Sequence, residues 1–167
     1  VPLKTKLKAA VAFELTGTPD FGVTKAEYGG FADYDLKNGT GSDQADRVFA
    51  DTRTLNPSSN EDLDLADPLL DPIGGAAAFA KVKAIIVRAA ATNTNNVVVG
   101  GAATNAFVGG FGAAAHTFAV PPGGVFMVSA PKGGWTVTPG TGDLLRIANS
   151  GGGTAVTYDI TVIGTSA

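Results

Sequence analysis

Between residues 72 and 167, short β-rich runs are separated at a regular beat by clusters of Gly, Asn and Pro, and this rhythm constrains the fold more than any other feature. The candidate strands are Ala80 to Ala90, Asn96 to Val99, Ala115 to Val120, Gly124 to Ala130, Trp135 to Val137, Leu144 to Asn149 and Ala155 to Ile163. Separators such as Pro121-Pro122-Gly123, Pro139-Gly140-Thr141-Gly142 and Ser150-Gly151-Gly152-Gly153 supply the fixed or positive φ at which a chain reverses. Alternation is cleanest in the last run, where Val156, Tyr158, Ile160 and Val162 share one face. Ile85, Ile86 and Val87 form a continuous apolar run, as expected of a central strand buried on both sides. The expected core comprises Val82, Ile86, Phe118, Phe126, Ile147, Tyr158 and Ile160. A sandwich or barrel follows from this pattern.

Upstream the pattern weakens. Leu7, Ala9, Val11, Phe13 and Leu15 alternate with more polar neighbours and predict an amphipathic strand; Val48 to Leu55 and Glu61 to Leu65 are two more. Thr18 to Ser42 reads as a long loop with room for a short helix near Lys25. A loop of that length is uncommon in a compact domain unless it binds something, so residues 17 to 45 are expected to pack on a neighbour or stay mobile.

Charge divides the chain unevenly. Residues 1 to 10 hold three Lys and no acid, residues 11 to 71 thirteen acids against four bases, and residues 72 to 167 two acids against five bases. The net charge of −3 argues against an electrostatic grip on nucleic acid or an anionic membrane. There is no cysteine, which removes disulfides, thiolate metal sites and a thiol nucleophile. No stretch approaches the ~20 apolar residues of a membrane-spanning helix, so a soluble protein made in the cytoplasm is the expectation.

Motifs for chemistry are sparse. No P-loop, G-x-G-x-x-G, H-E-x-x-H or G-x-S-x-G occurs. His116 is the single imidazole and has no Ser or Asp at a recognisable spacing, which favours a strand or interface histidine over a catalytic one. Glu61, Asp62, Asp64, Asp67 and Asp71 form the densest acid cluster. Alternation with Leu63 and Leu65 makes Asp62 and Asp64 a solvated strand face rather than a calcium site. Trp135 fits partly buried core or interface better than a sugar-stacking platform. Extended, Lys4, Lys6 and Lys8 lie on one face, an arrangement that suits docking on an acidic capsid surface and equally suits keeping a terminal arm soluble. No catalytic, cofactor-binding or metal-ligating residue is assigned.

Several ordered blocks resemble small virion proteins of tailed bacteriophages. They are Gly39-Thr40-Gly41-Ser42-Asp43-Gln44-Ala45-Asp46-Arg47-Val48-Phe49, Asp51-Thr52-Arg53-Thr54-Leu55, Glu61-Asp62-Leu63-Asp64-Leu65-Ala66, Phe79-Ala80-Lys81-Val82-Lys83-Ala84, Thr92-Asn93-Thr94-Asn95-Asn96-Val97, Val120-Pro121-Pro122-Gly123-Gly124-Val125-Phe126 and Gly140-Thr141-Gly142-Asp143-Leu144-Leu145-Arg146-Ile147-Ala148-Asn149. The resemblance spans roughly residues 38 to 163. It implies a head decoration or cement protein without enzymatic activity or cofactor, located on the virion capsid surface and partnered by the major capsid protein. Assembly around local threefold points favours a homotrimer. The expected fold is all-β: an antiparallel, jelly-roll-like β-sandwich over residues 46–167, preceded by an N-terminal extended arm, strand and long loop over residues 1–45. The rival readings are a tail, baseplate or fibre protein meeting the host surface through Trp135, Tyr28 and Tyr34, and a glycan-active enzyme. The second part lacks the paired carboxylates such an enzyme needs.

Overall fold

The structure, a computed structural model, describes residues 2–17, 22, 24–67 and 69–167. Among these there are thirteen strands: β1 (Thr5–Gly17), β2 (Thr24–Leu36), β3 (Arg47–Leu55), β4 (Asn60–Asp64), β5 (Leu69–Leu70), β6 (Ala76–Ala77), β7 (Lys81–Ala89), β8 (Val97–Gly100), β9 (Thr117–Val120), β10 (Val125–Ser129), β11 (Trp135–Thr136), β12 (Leu144–Asn149) and β13 (Val156–Thr165). The fold is all-β, and every strand pair is antiparallel.

Two sheets enclose the main core. One runs β10-β7-β13-β3, with β11 also paired to β7; the other runs β4-β12-β8-β9. The period-two pattern of β13 sends Val156, Tyr158, Ile160 and Val162 inward, where they join Val82, Ile85 and Val87 of β7. Facing them are Leu63, Leu145, Ile147, Val97, Val99 and Val120 of the second sheet. Burying each such side chain contributes about 1.5–3 kcal/mol.

A bulge in β7 resets its alternation. Ala84 lies opposite Ile163 and Val82 opposite Gly164, which leaves Lys83 without a partner across the strand pair. Val82 and Ile85 therefore both reach the main core, while Ala84 turns to the outer face of the sheet. The close approach needs glycine: a Cβ at Gly164 would run into the Lys81 carbonyl and the Phe79 ring.

On that outer face lies a second, smaller cluster. Leu7 and Leu36 pack with Ala45, Ala84 and Ile163, joined by Leu3, Val48 and Ile86. This cluster is the root of the β1–β2 hairpin. It also explains the run Ile85-Ile86-Val87, whose middle residue packs on the hairpin root instead of the main core and is only partly buried.

Besides Ile86, which was expected in the main core, two expectations fail. The stretch expected as a long loop with a short helix contains β2, paired with β1 in unbroken register from Thr5↔Leu36 to Gly17↔Thr24. Phe118, expected in the core, is 47% exposed. It stands on edge strand β9 beside β10, where its ring packs at 5.0 Å against Phe126, and Phe126 in turn stacks at 5.8 Å on Phe111. That aromatic row fills the open side between the sheets, so its outermost ring meets solvent.

Candidate interaction surface

The β1–β2 hairpin begins anchored and ends bare. Each strand has thirteen residues, so the ribbon is about 44 Å long at ~3.4 Å per residue. Leu7 is buried, but every residue from Lys8 to Gly17 is exposed. Side chains opposite one another in an antiparallel pair share a face. One face therefore carries Leu7/Tyr34, Ala9/Ala32, Val11/Gly30, Phe13/Tyr28 and Leu15/Ala26, without a charge among them. On it Val11 is 60%, Phe13 54%, Leu15 67% and Tyr28 56% exposed, and the Phe13 and Tyr28 rings stack with centroids 5.8 Å apart. Gly30 supplies the room in which the Tyr28 ring lies along its strand.

The opposite face is charged and largely self-neutralising. Lys6 stands 3.6 Å from Asp33 and 3.5 Å from Asp35, Lys8 is 3.9 Å from Asp33, and Lys25 bridges Glu14 at 3.0 Å and Glu27. The Asp33 charge, followed by Asp35, raises the Lys6 pKa above its usual value; the hydrogen bonds that Lys25 donates to Glu27 and Glu14 do the same for Lys25. Such exposed pairs contribute little stability. Their effect is to leave the ribbon with a polar face and an uncharged apolar one. Of the three lysines proposed to touch a capsid, Lys6 and Lys8 thus have acidic partners within the hairpin, while Lys4 is exposed beside its root.

The root is fixed by a residue that sequence reasoning missed. Lys83, on the β7 bulge, is buried and donates from Nζ to the carbonyls of Lys132 at 2.7 Å and Gly41 at 3.2 Å. Burial, with the neighbouring Lys81 charge, pulls its pKa below the usual lysine value. Its carbonyl partners tie the loop after β2 to the sheet, helped by Asp43 N–H donating to the Pro131 carbonyl at 3.1 Å and Leu3 N–H donating to Asn38 Oδ1 at 2.8 Å. A lysine between Val82 and Ala84 in a buried strand was the available signal.

The acidic cluster disperses to separate tasks. Glu61 accepts from Arg53 Nε at 2.8 Å and from the Tyr158 hydroxyl, and Asp62 takes both arms of Arg146 at 2.7 and 2.8 Å. Asp64 caps the turn at Ala66 and Asp67, and Asp71 closes the turn between β5 and β6 by accepting from Ile73 and Gly75. Among the described residues, no three His, Asp or Glu side chains converge as metal ligands would. Burial, and then the bond to Glu61, raise the Tyr158 pKa far above its usual value, so its phenol stays neutral. His116 is exposed and donates from Nδ1 to the Phe111 carbonyl at 2.8 Å, bracing a loop. Trp135 is partly buried against the core rim.

Comparison of the chain with known protein families, curated proteins and solved structures finds no match in any of the three.

Proposed function

We propose that this chain is a structural, non-catalytic virion protein of a tailed phage, which binds the outside of the capsid and stabilises contacts between major capsid subunits. The observation that carries the reading is the hairpin: a long ribbon, anchored at one end and bare at the other, gains its stability from a surface outside its own fold. An isolated two-stranded ribbon is marginal in water, so its length makes physical sense in an assembly.

Strand order adds support. With the two-residue β11 set aside, the other eight strands of the two main sheets, taken in chain order, divide so that one sheet holds the first, eighth, third and sixth, and the other the second, seventh, fourth and fifth. That interleaving fits a jelly-roll β-sandwich, an architecture used by viral capsid and lectin domains. Architecture alone does not assign function; the polar bonds described above add to the reading because the carboxylates of Glu61, Asp62, Asp64 and Asp71 each serve a turn or a strand pair. The partner on this reading is the major capsid protein, and neither nucleic acid nor membrane is involved.

Copy number tests the proposal. In particles of the virus that carries the gene, densitometry of the separated virion proteins should give this chain in amounts comparable to the major capsid protein. A few copies per particle would indicate a tail, baseplate or fibre component, and its absence from purified particles would overturn the reading.

A further inference from the structure

We propose that the outer apolar face of the hairpin, residues 9–15 of β1 with residues 26–32 of β2, packs against the same face of a second copy of this chain. The inference goes beyond the virion reading and does not depend on it. It commits to self-association through one face of one element.

Three observations point to a copy of the chain as the occupant. The first is charge. All the charged residues of the two strands lie on the far side of the ribbon, where lysines and carboxylates neutralise one another. The apolar face therefore offers no charge with which to select an acidic or basic partner, and two copies meet there without repulsion.

The second is area. Val11, Phe13, Leu15 and Tyr28, with the exposed Ala9, Ala26 and Ala32, leave roughly 500 Å² of mostly apolar surface in solvent, given that a large aromatic side chain alone carries 150–250 Å². Two faces brought together remove up to about 1,000 Å², the lower bound for a specific interface and the size of a reversible one. The third is relief. The Phe13–Tyr28 stack forms a ridge, and Ala9/Ala32 form a trough beside it on the same face. Two ribbons running in opposite directions lay the bulky half of one over the shallow half of the other, with sheet faces about 10 Å apart. Towards the root the face is already closed by Ala84 and Ile163, which limits the contact to the outer segment.

The test uses the purified full chain without capsids, so its outcome is independent of the copy-number measurement. Sedimentation velocity over a concentration series should show a reversible dimer or higher oligomer. Phe13→Glu places a charge in the contact and should weaken association by roughly tenfold or more, while the thermal transition of the two-sheet core stays unchanged. Phe118→Glu, in the other exposed aromatic cluster, should leave association intact. Because the chain has no cysteine, Phe13→Cys gives a second readout independent of the Glu substitution: a short bis-maleimide should link two chains at this position. A monomer at all concentrations would overturn the proposal and leave the face to a different protein. So would association lost on Phe118→Glu but not on Phe13→Glu, or failure of Phe13→Cys chains to cross-link.

Discussion

Replacing Tyr158 by Phe should cost stability at neutral pH and almost nothing near pH 11. The ring is 1% exposed and its packing survives the change, so the loss is confined to the hydroxyl's bond to Glu61. Glu61 keeps its 2.8 Å bond from Arg53, and the cost at pH 7 is therefore about 1.5 kcal/mol, at the low end for a bond to a charged group. The pH dependence has a definite sign. Burial, followed by Glu61, raises the Tyr158 pKa in the fold, so the unfolded chain gives up the phenolic proton first, near pH 10. The contribution of the neutral phenol is complete below that value and declines above it, by about 1.4 kcal/mol for each further pH unit. All other titrating groups are common to the two proteins and cancel in the difference. Urea unfolding of parent and variant should thus give a gap of about 1.5 kcal/mol at pH 7 that closes near pH 11. A gap that is constant across this range would show that the phenol is not held neutral by burial.

Three further outcomes are expected. Ile160→Ala, in the main core, should cost about 2–5 kcal/mol by chemical denaturation, and Ile86→Ala, on the half-covered outer face, clearly less; equal costs would contradict the bulge at Lys83. Lys83→Ala removes two bonds from a charged donor and should destabilise by about 1–3 kcal/mol, with hydrogen exchange rising first over residues 37–45; exchange unchanged there would remove Lys83 from the anchor. Shortening the hairpin by replacing residues 10–31 with a two-residue turn should leave core melting intact and reduce co-sedimentation with undecorated capsids, and full-strength binding would assign attachment to the sheets.

The strands of the second half were readable because their faces differ chemically. In β13 and β12 the inward Val156, Tyr158, Ile160, Val162, Leu145 and Ile147 are large and apolar and the outward residues mostly polar or small, so period two survives in the sequence. β2 hid for the opposite reason: most of its length is exposed on both faces, and Gly29, Gly30, Ala26 and Ala32 carry little strand propensity. Its charge pattern did hold a clue, since Asp33 and Asp35 repeat at the spacing of Lys6 and Lys8 and pair with them across the ribbon. Ile86 was misplaced because an unpaired residue in β7 shifts the phase of alternation, which no periodicity argument detects without the partner strand. Phe118 was misplaced because facing inward on a four-residue edge strand does not ensure cover. The candidate surface was half legible: the amphipathic β1 was clear, but the strand that completes its face was not.

The register of the hairpin makes its reach adjustable only in fixed steps. Residues alternate between faces, so inserting a single cross-strand pair would turn every side chain beyond it over, exchanging the aromatic ridge with the ion pairs. Two pairs inserted together restore the phase and extend the tip by about 7 Å. The root, held by Leu7, Leu36 and the Lys83 clamp, is indifferent to such changes. The ribbon thus behaves as a ruler with graduations two residues apart, whose length can follow the spacing of its partners while the two-sheet body stays constant.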